Sequence, residues 1–144
     1  MPNRPISEII RQQSLTAATP NDTVRTAATL MRDSKVGALL VVDDGRLVGI
    51  FTERDALYRI IAEGRDPDAT RLADVMTADP QTIDVGKPFR NALHMMFENG
   101  YRHVPVLDGT RPVGMVSARD ALGLDMLEFE SDLELRENIT EILG

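Results

Sequence analysis

The chain has no cysteine and no tryptophan, and aromatic residues make up only 4% of its 144 positions. Without cysteine there can be no disulfide, no thiolate metal site and no cysteine nucleophile, which also fits a reducing cytoplasm. With so few aromatics, a core must be built mostly from Val, Leu, Ile, Met and Ala. The two histidines, His94 and His103, lie far from any clustered carboxylates and make a poor metal site. Long apolar runs are missing too. The longest, around Val36 to Val42, is far too short to cross a bilayer. The opening residues Met1 to Pro5 lack the apolar centre of a signal peptide. These features predict a cytoplasmic protein with no membrane insertion. A positive balance is also absent, since the net charge is −7, which argues against general nucleic-acid binding. There is no phosphate-cradling G-x-x-x-x-G-K loop, and Gly45 and Gly109 read as turn glycines.

The negative charge is unevenly placed. Residues 125–144 carry seven acids against the single base Arg136, so the rest of the chain is nearly neutral. Most of the chain is an internal duplication. Val48-Gly49-Ile50-Phe51-Thr52-Glu53-Arg54-Asp55-Ala56-Leu57 returns 65 positions later as Val113-Gly114-Met115-Val116-Ser117-Ala118-Arg119-Asp120-Ala121-Leu122. Residues 19–57 and 84–122 align without a gap and share twelve identities in 39 positions, among them Arg25/Arg90, Met31/Met96 and Asp43/Asp108.

Each copy reads as short strand, helix, strand, strand, helix. Asn21 and Asp22 are candidate caps for a helix whose apolar face is Val24, Ala27, Ala28 and Met31. Its counterpart presents Phe89, Ala92, Leu93, Met96 and Phe97. Apolar strands follow at 38–42 and 104–107, then Gly-containing turns, then second strands ending at Thr52 and Ser117. Met31, Met95, Met96 and Met115 are expected in the core, and His94 on a solvated helix face. Ile9-Ile10 and Leu72 to Met76, offset by 66 rather than 65, are expected to form short linker helices packing one half on the other. Neither half of about 60 residues would bury enough surface alone. The expected class is therefore α/β (α+β), with two units packed through their sheets about a pseudo-twofold axis. The boundaries are 7–62, 71–124 and an acidic C-terminal helix at 125–144. That tail is a solvated helix face or a recognition element.

At each strand-to-helix corner a hydroxyl and a carboxylate meet unpaired N–H groups and the positive end of a helix, a setting that suits a phosphate and a sugar hydroxyl. Thr52-Glu53-Arg54-Asp55 and Ser117-Ala118-Arg119-Asp120 also fit a capping box, in which the carboxylate serves its own helix. The two roles are compatible, because a hydroxyl that caps an empty helix can turn to a ligand.

The duplicated unit ending in Gly-x-x-Thr/Ser-x-x-Asp, with Val75-Met76-Thr77 and Arg102-His103-Val104-Pro105-Val106, resembles the cystathionine-β-synthase (CBS) domain pair, or Bateman module. The resemblance covers residue 7 to about residue 124. It implies two clefts that take adenosine-containing ligands such as AMP, ADP, ATP or S-adenosylmethionine. Asp55 and Asp120 would then accept hydrogen bonds from ribose hydroxyls, Thr52 and Ser117 would bond phosphate, and Arg54 and Arg119 would neutralise it. Adenine would lie among Ala38, Val104, Pro105, Thr16, Ala17, Thr82 and Ile83, with His103 near phosphate or base, or simply structural. Leu39-Leu40-Val41 stands where the second copy has Val-Pro-Val, which leaves the first cleft differently shaped or empty. The resemblance further implies a disc-like homodimer and a regulated partner in trans. No cofactor is obligatory, and an adenine nucleotide acts as regulatory ligand. The alternative is an assembly scaffold with empty clefts. Enzymatic action on nucleotides is the third reading, and the residues offer no nucleophile–base pair for it.

Overall fold

A computed structural model describes residues 4–121; the acidic segment expected to be a C-terminal helix lies outside the described residues. The first half contains α1 (Ile6–Ile10), β1 (Ala17–Ala18), α2 (Val24–Ser34), β2 (Ala38–Asp43) and β3 (Arg46–Thr52). A single α-turn, α3 (Glu53–Asp55), then widens into a π-helical segment at Ala56–Ile61. The second half contains α4 (Leu72–Val75), β4 (Thr77–Ala78), β5 (Ile83–Asp84), α5 (Phe89–Asn99), β6 (His103–Asp108) and β7 (Arg111–Ser117).

Two small mixed sheets result. One has the order β1-β2-β3-β4 and the other β5-β6-β7. In each, the short entry strand runs parallel to the first long strand, which then turns back antiparallel into the second. The reversals are made by Gly45 (φ +75°) and Gly109 (φ +66°), in the left-handed region where glycine carries no Cβ penalty. The centres of β2 and β6 are buried on both faces, which is why they read as continuous apolar runs rather than alternating ones. The helix α2 packs Val24, Ala27 and Met31 on one sheet, and α5 packs Phe89, Ala92 and Met96 on the other. Between the halves, β3 lies against β7.

The linker helices are exchanged. Ile6 and Ile10 of α1 belong to the core built by β6, β7 and α5. Leu72 and Val75 of α4 belong to the core built by β2, β3 and α2. Backbone bonds hold the exchange: Ile6 donates to Lys87 O (3.0 Å), Phe89 to Arg4 O (2.7 Å) and Leu72 to Asp22 O (2.9 Å). The repeat-matched glycines mark the crossings. A Cβ on Gly49 would sit 2.4 Å from Met76 Sδ, and one on Gly114 would sit 3.0 Å from Ile10 Cβ. Beside them, Thr77 of β4 pairs with Ile50 of β3. At the matching position in the second half, the Gln13 side chain takes that place. Its Nε2 donates to Met115 O (2.9 Å) and its Oε1 accepts from Met115 N–H (3.2 Å), closing the sheet edge.

Three expectations are corrected. The cap of α2 is Thr23, whose hydroxyl accepts from Thr26 N–H, rather than Asn21 or Asp22. Asp22 instead accepts from Thr19 N–H (2.8 Å) and shapes the turn before the helix. Phe97 is 89% exposed, because the apolar face of α5 is used up by Phe89, Ala92 and Met96. Met115 lines a cleft instead of filling the core, since its side chain falls on the outward face of β7.

Candidate ligand-binding cleft

The two strand-to-helix corners differ. At the first, Thr52 Oγ1 accepts from Asp55 N–H (3.1 Å) and Thr52 N–H donates to Asp55 Oδ2 (3.0 Å), a complete capping box. The remaining oxygen, Oδ1, lies 3.6 Å from Arg59 Nε. Arg59 in turn donates from Nη1 to the carbonyls of Val75 (2.8 Å) and Met76 (3.0 Å). Asp55 is buried, and both its oxygens are engaged by the protein. Arg54 leans away, with Nη1 3.4 Å from Gly100 O. At the second corner Ser117 N–H donates to Asp120 Oδ2 (2.8 Å), and among the described residues only this half of the box is made.

The half-made corner heads a cleft of about 1250 Å³. The wall is composite. The first repeat contributes Thr16, the segment Lys35 to Ala38, Leu40, Phe51 and Glu53, and the second contributes Arg102, His103, Met115, Ser117, Arg119 and Asp120. Small or apolar groups (Thr16, Ala28, Ala38, Leu40) thus face a polar, hydrogen-bonding side. The charges are Arg32, Lys35, Arg102 and Arg119 against Glu53 and Asp120, an excess of cations in a chain whose net charge is negative. Such a lining focuses positive potential in a low-dielectric recess and draws anions in. His103 is half-buried, and desolvation holds its pKa below the ordinary 6.5; Glu53 and Asp120 oppose the shift, whereas Arg102 and Arg119 add to it. The imidazole is therefore neutral at neutral pH.

One backbone feature sits on the rim. The helix α5 ends in Gly100 at φ +73°, whereas α2 ends at the matching position in Lys35 at φ +56°. A residue with a Cβ pays on the order of 1–3 kcal/mol to hold that conformation. Nearby, Gly37 accepts from Glu53 N–H (2.9 Å), and a Cβ there would meet the Glu53 carboxylate at 3.1 Å.

Of the residues singled out from sequence, Thr16, Ala38, His103, Ser117, Arg119 and Asp120 are brought together in this cleft. Ala17, Thr52, Arg54, Asp55, Thr82, Ile83, Val104 and Pro105 do not line it. Val104 and Pro105 are buried inside β6, and Ile83 belongs to the second core. The sequence reading missed Lys35, Glu53 and Arg102. A signal for them exists in the positions where the repeats disagree: Lys35 against Gly100, Gly37 against Arg102, Ala38 against His103, and Glu53 against Ala118.

Two duplicated units, exchanged linkers and a Ser/Thr-x-x-Asp corner at a cleft between the repeats can be set beside known proteins. The CBS-domain profile matches residues 6–62 and again 72–126. The chain belongs to the CBS-domain family. Among curated relatives, the CBS domain-containing protein CBSX3, mitochondrial, of Arabidopsis thaliana is 34% identical over 140 residues, covering 90% of this chain and 68% of that protein. Some other curated relatives are much longer, and this CBS pair spans only 16% and 19% of two of them. A CBS-domain protein from Burkholderia ambifaria has a similar structure, with a TM-score of 0.77 and 32% identity, covering 82% of this chain and 90% of that one. The CBS domain protein PAE2072 from Pyrobaculum aerophilum, solved in complex with AMP, has a TM-score of 0.74 and 26% identity over 81% of this chain and 88% of its own. Among the described residues, no helix is long and apolar enough to cross a membrane, and no group of His, Asp and Glu is arranged to hold a metal ion.

Proposed function

We propose that this CBS pair is a non-catalytic regulatory module that binds an adenosine nucleotide in the Ser117–Asp120 cleft and signals its occupancy to a partner protein in trans. The observation that carries the reading is the half-made capping box at the head of a cation-rich cleft large enough for a nucleotide. Asp120 would accept from ribose hydroxyls, Ser117 and Arg119 would hold phosphate, and Thr16 and Ala38 would flank the base, with His103 at the phosphate side. The AMP complex of the Pyrobaculum protein supports the ligand class. A second cleft at Thr52, Arg54 and Asp55 would require the Asp55 carboxylate to leave Arg59. Composition supports cytoplasmic work, although CBSX3 is named as mitochondrial.

The test is thermal unfolding of wild type, Asp55→Ala and Asp120→Ala with AMP, ADP, ATP and S-adenosylmethionine. A ligand at about 100 times its dissociation constant should stabilise by about 2.7 kcal/mol, and Asp120→Ala should lose that gain while Asp55→Ala keeps it. A scaffold with empty clefts is the second reading, favoured by the engagement of Asp55 with Arg59. It predicts that no ligand shifts any of the three proteins while self-association persists.

A further inference from the structure

We infer that Lys35 makes the cleft selective for ligands carrying more than one phosphate, and that it acts as a phosphate-counting residue rather than a fold determinant. The inference rests on the nucleotide reading of the same cleft and adds the number of phosphates to it. Three observations meet at Lys35. It lines the cleft together with Arg102 and Arg119, and among the described residues none of these three cations forms an ion pair within the protein. Arg32, the fourth cation of the lining, is already bonded to Asp33 at 3.0 Å. Finally, Lys35 holds a left-handed backbone (φ +56°) at the helix end where the other repeat places Gly100 (φ +73°).

Glycine would serve the turn better, so the turn does not require a lysine at this position. Lys35 comes from the first repeat and lines the same cleft as Ser117, Arg119 and Asp120 of the second. A monophosphate held at that corner is already served by Ser117, Arg119 and the helix N-terminus. A second and third phosphate extend away from the ribose and need a cation from another element. Lys35 and Arg102 supply it from the two repeats, so a di- or triphosphate bridges them where a monophosphate does not. The matched position in the second repeat, Gly100, offers no such charge.

The variant Lys35→Gly tests this cleanly, because it copies the sister repeat and relieves the backbone, so it should fold with a Tm at or above wild type. Titration calorimetry would compare adenosine, AMP, ADP, ATP and inorganic tripolyphosphate on both proteins. The expected result is about a tenfold loss for ATP and tripolyphosphate, with adenosine and AMP within twofold of wild type. Equal losses for AMP and ATP, or an unchanged ATP affinity, would overturn the inference. If wild type binds tripolyphosphate through Lys35 but no adenosine compound, the polyphosphate subsite stands and the nucleotide reading fails. If it binds AMP but neither ATP nor tripolyphosphate, the inference fails and the nucleotide reading stands; if it binds none of the five compounds, both are wrong.

Discussion

At the scale of single residues, the repeat has been put to two uses. Asp55 and Asp120 occupy matching positions, yet Asp55 is enclosed by Thr52 and Arg59 while Asp120 stands at an open cleft. Asp55→Ala removes a helix cap and leaves Arg59 without its carboxylate. We expect a loss of roughly 1–2 kcal/mol, read in thermal unfolding as a fall of about 2–8 °C. Asp120→Ala, tested without ligand, should fall less. His103 supplies a pH prediction. Its folded pKa is below 6.5, so as pH drops through 6.5 the unfolded chain takes up the proton first. Its contribution to stability is full above that pH and is lost as pH falls toward the folded value. Denaturant midpoints at pH 7.5 and 5.5 should therefore converge in His103→Gln relative to wild type. A pH dependence unchanged in the variant would remove His103 as the cause.

Among elements, the exchange of α1 and α4 decides which half each mutation damages. Ile6 is fully buried in the second core and Leu72 in the first, although each precedes the other repeat in sequence. Truncating either to alanine should cost about 2–5 kcal/mol. Amide exchange locates the loss: Ile6→Ala should deprotect β6 and β7 first, and Leu72→Ala should deprotect β2 and β3. Deprotection in the sequence-adjacent strands instead would contradict the exchange. A Gly49→Ala or Gly114→Ala change probes the same crossings from the strand side, where a Cβ would crowd Met76 and Ile10. Overpacking of that kind costs about 1–3 kcal/mol, and chemical denaturation of either variant should show it.

For the whole molecule, the exposed apolar residues bear on association. Leu57, Tyr58 and Ile61 of the π-helical segment and Phe97 of α5 are exposed in the single chain, Ile61 at 72%. Large apolar side chains left in water are a feature of surfaces that meet other chains, and we propose that a second copy covers them. Light scattering at micromolar concentration should give twice the mass of one chain for wild type. Ile61→Glu or Phe97→Glu should shift the mass toward the monomer. A monomeric wild type would sink the proposal. Separate halves are not expected to fold, because each core borrows its closing helix from the other half's linker.

Much of this was legible in the sequence because duplication is a property of the string itself. The 65-residue register exposed the strand-helix-strand-strand-helix unit, the two glycine turns and both Ser/Thr-x-x-Asp corners before any coordinates. Local patterns of that kind depend on neighbours three or four residues apart, and periodicity records them. The tertiary structure decided the rest. Whether a carboxylate serves its helix or a ligand depends on what approaches its second oxygen, and Arg59 reaches Asp55 only because α4 delivers the Val75 and Met76 carbonyls that anchor its guanidinium. The cleft likewise draws Lys35 and Arg102 from opposite repeats, 67 residues apart, and no pattern within either repeat reports that meeting. The sequence by itself determined the unit and its repetition; which corner stays open depended on long-range packing, to which local periodicity is blind.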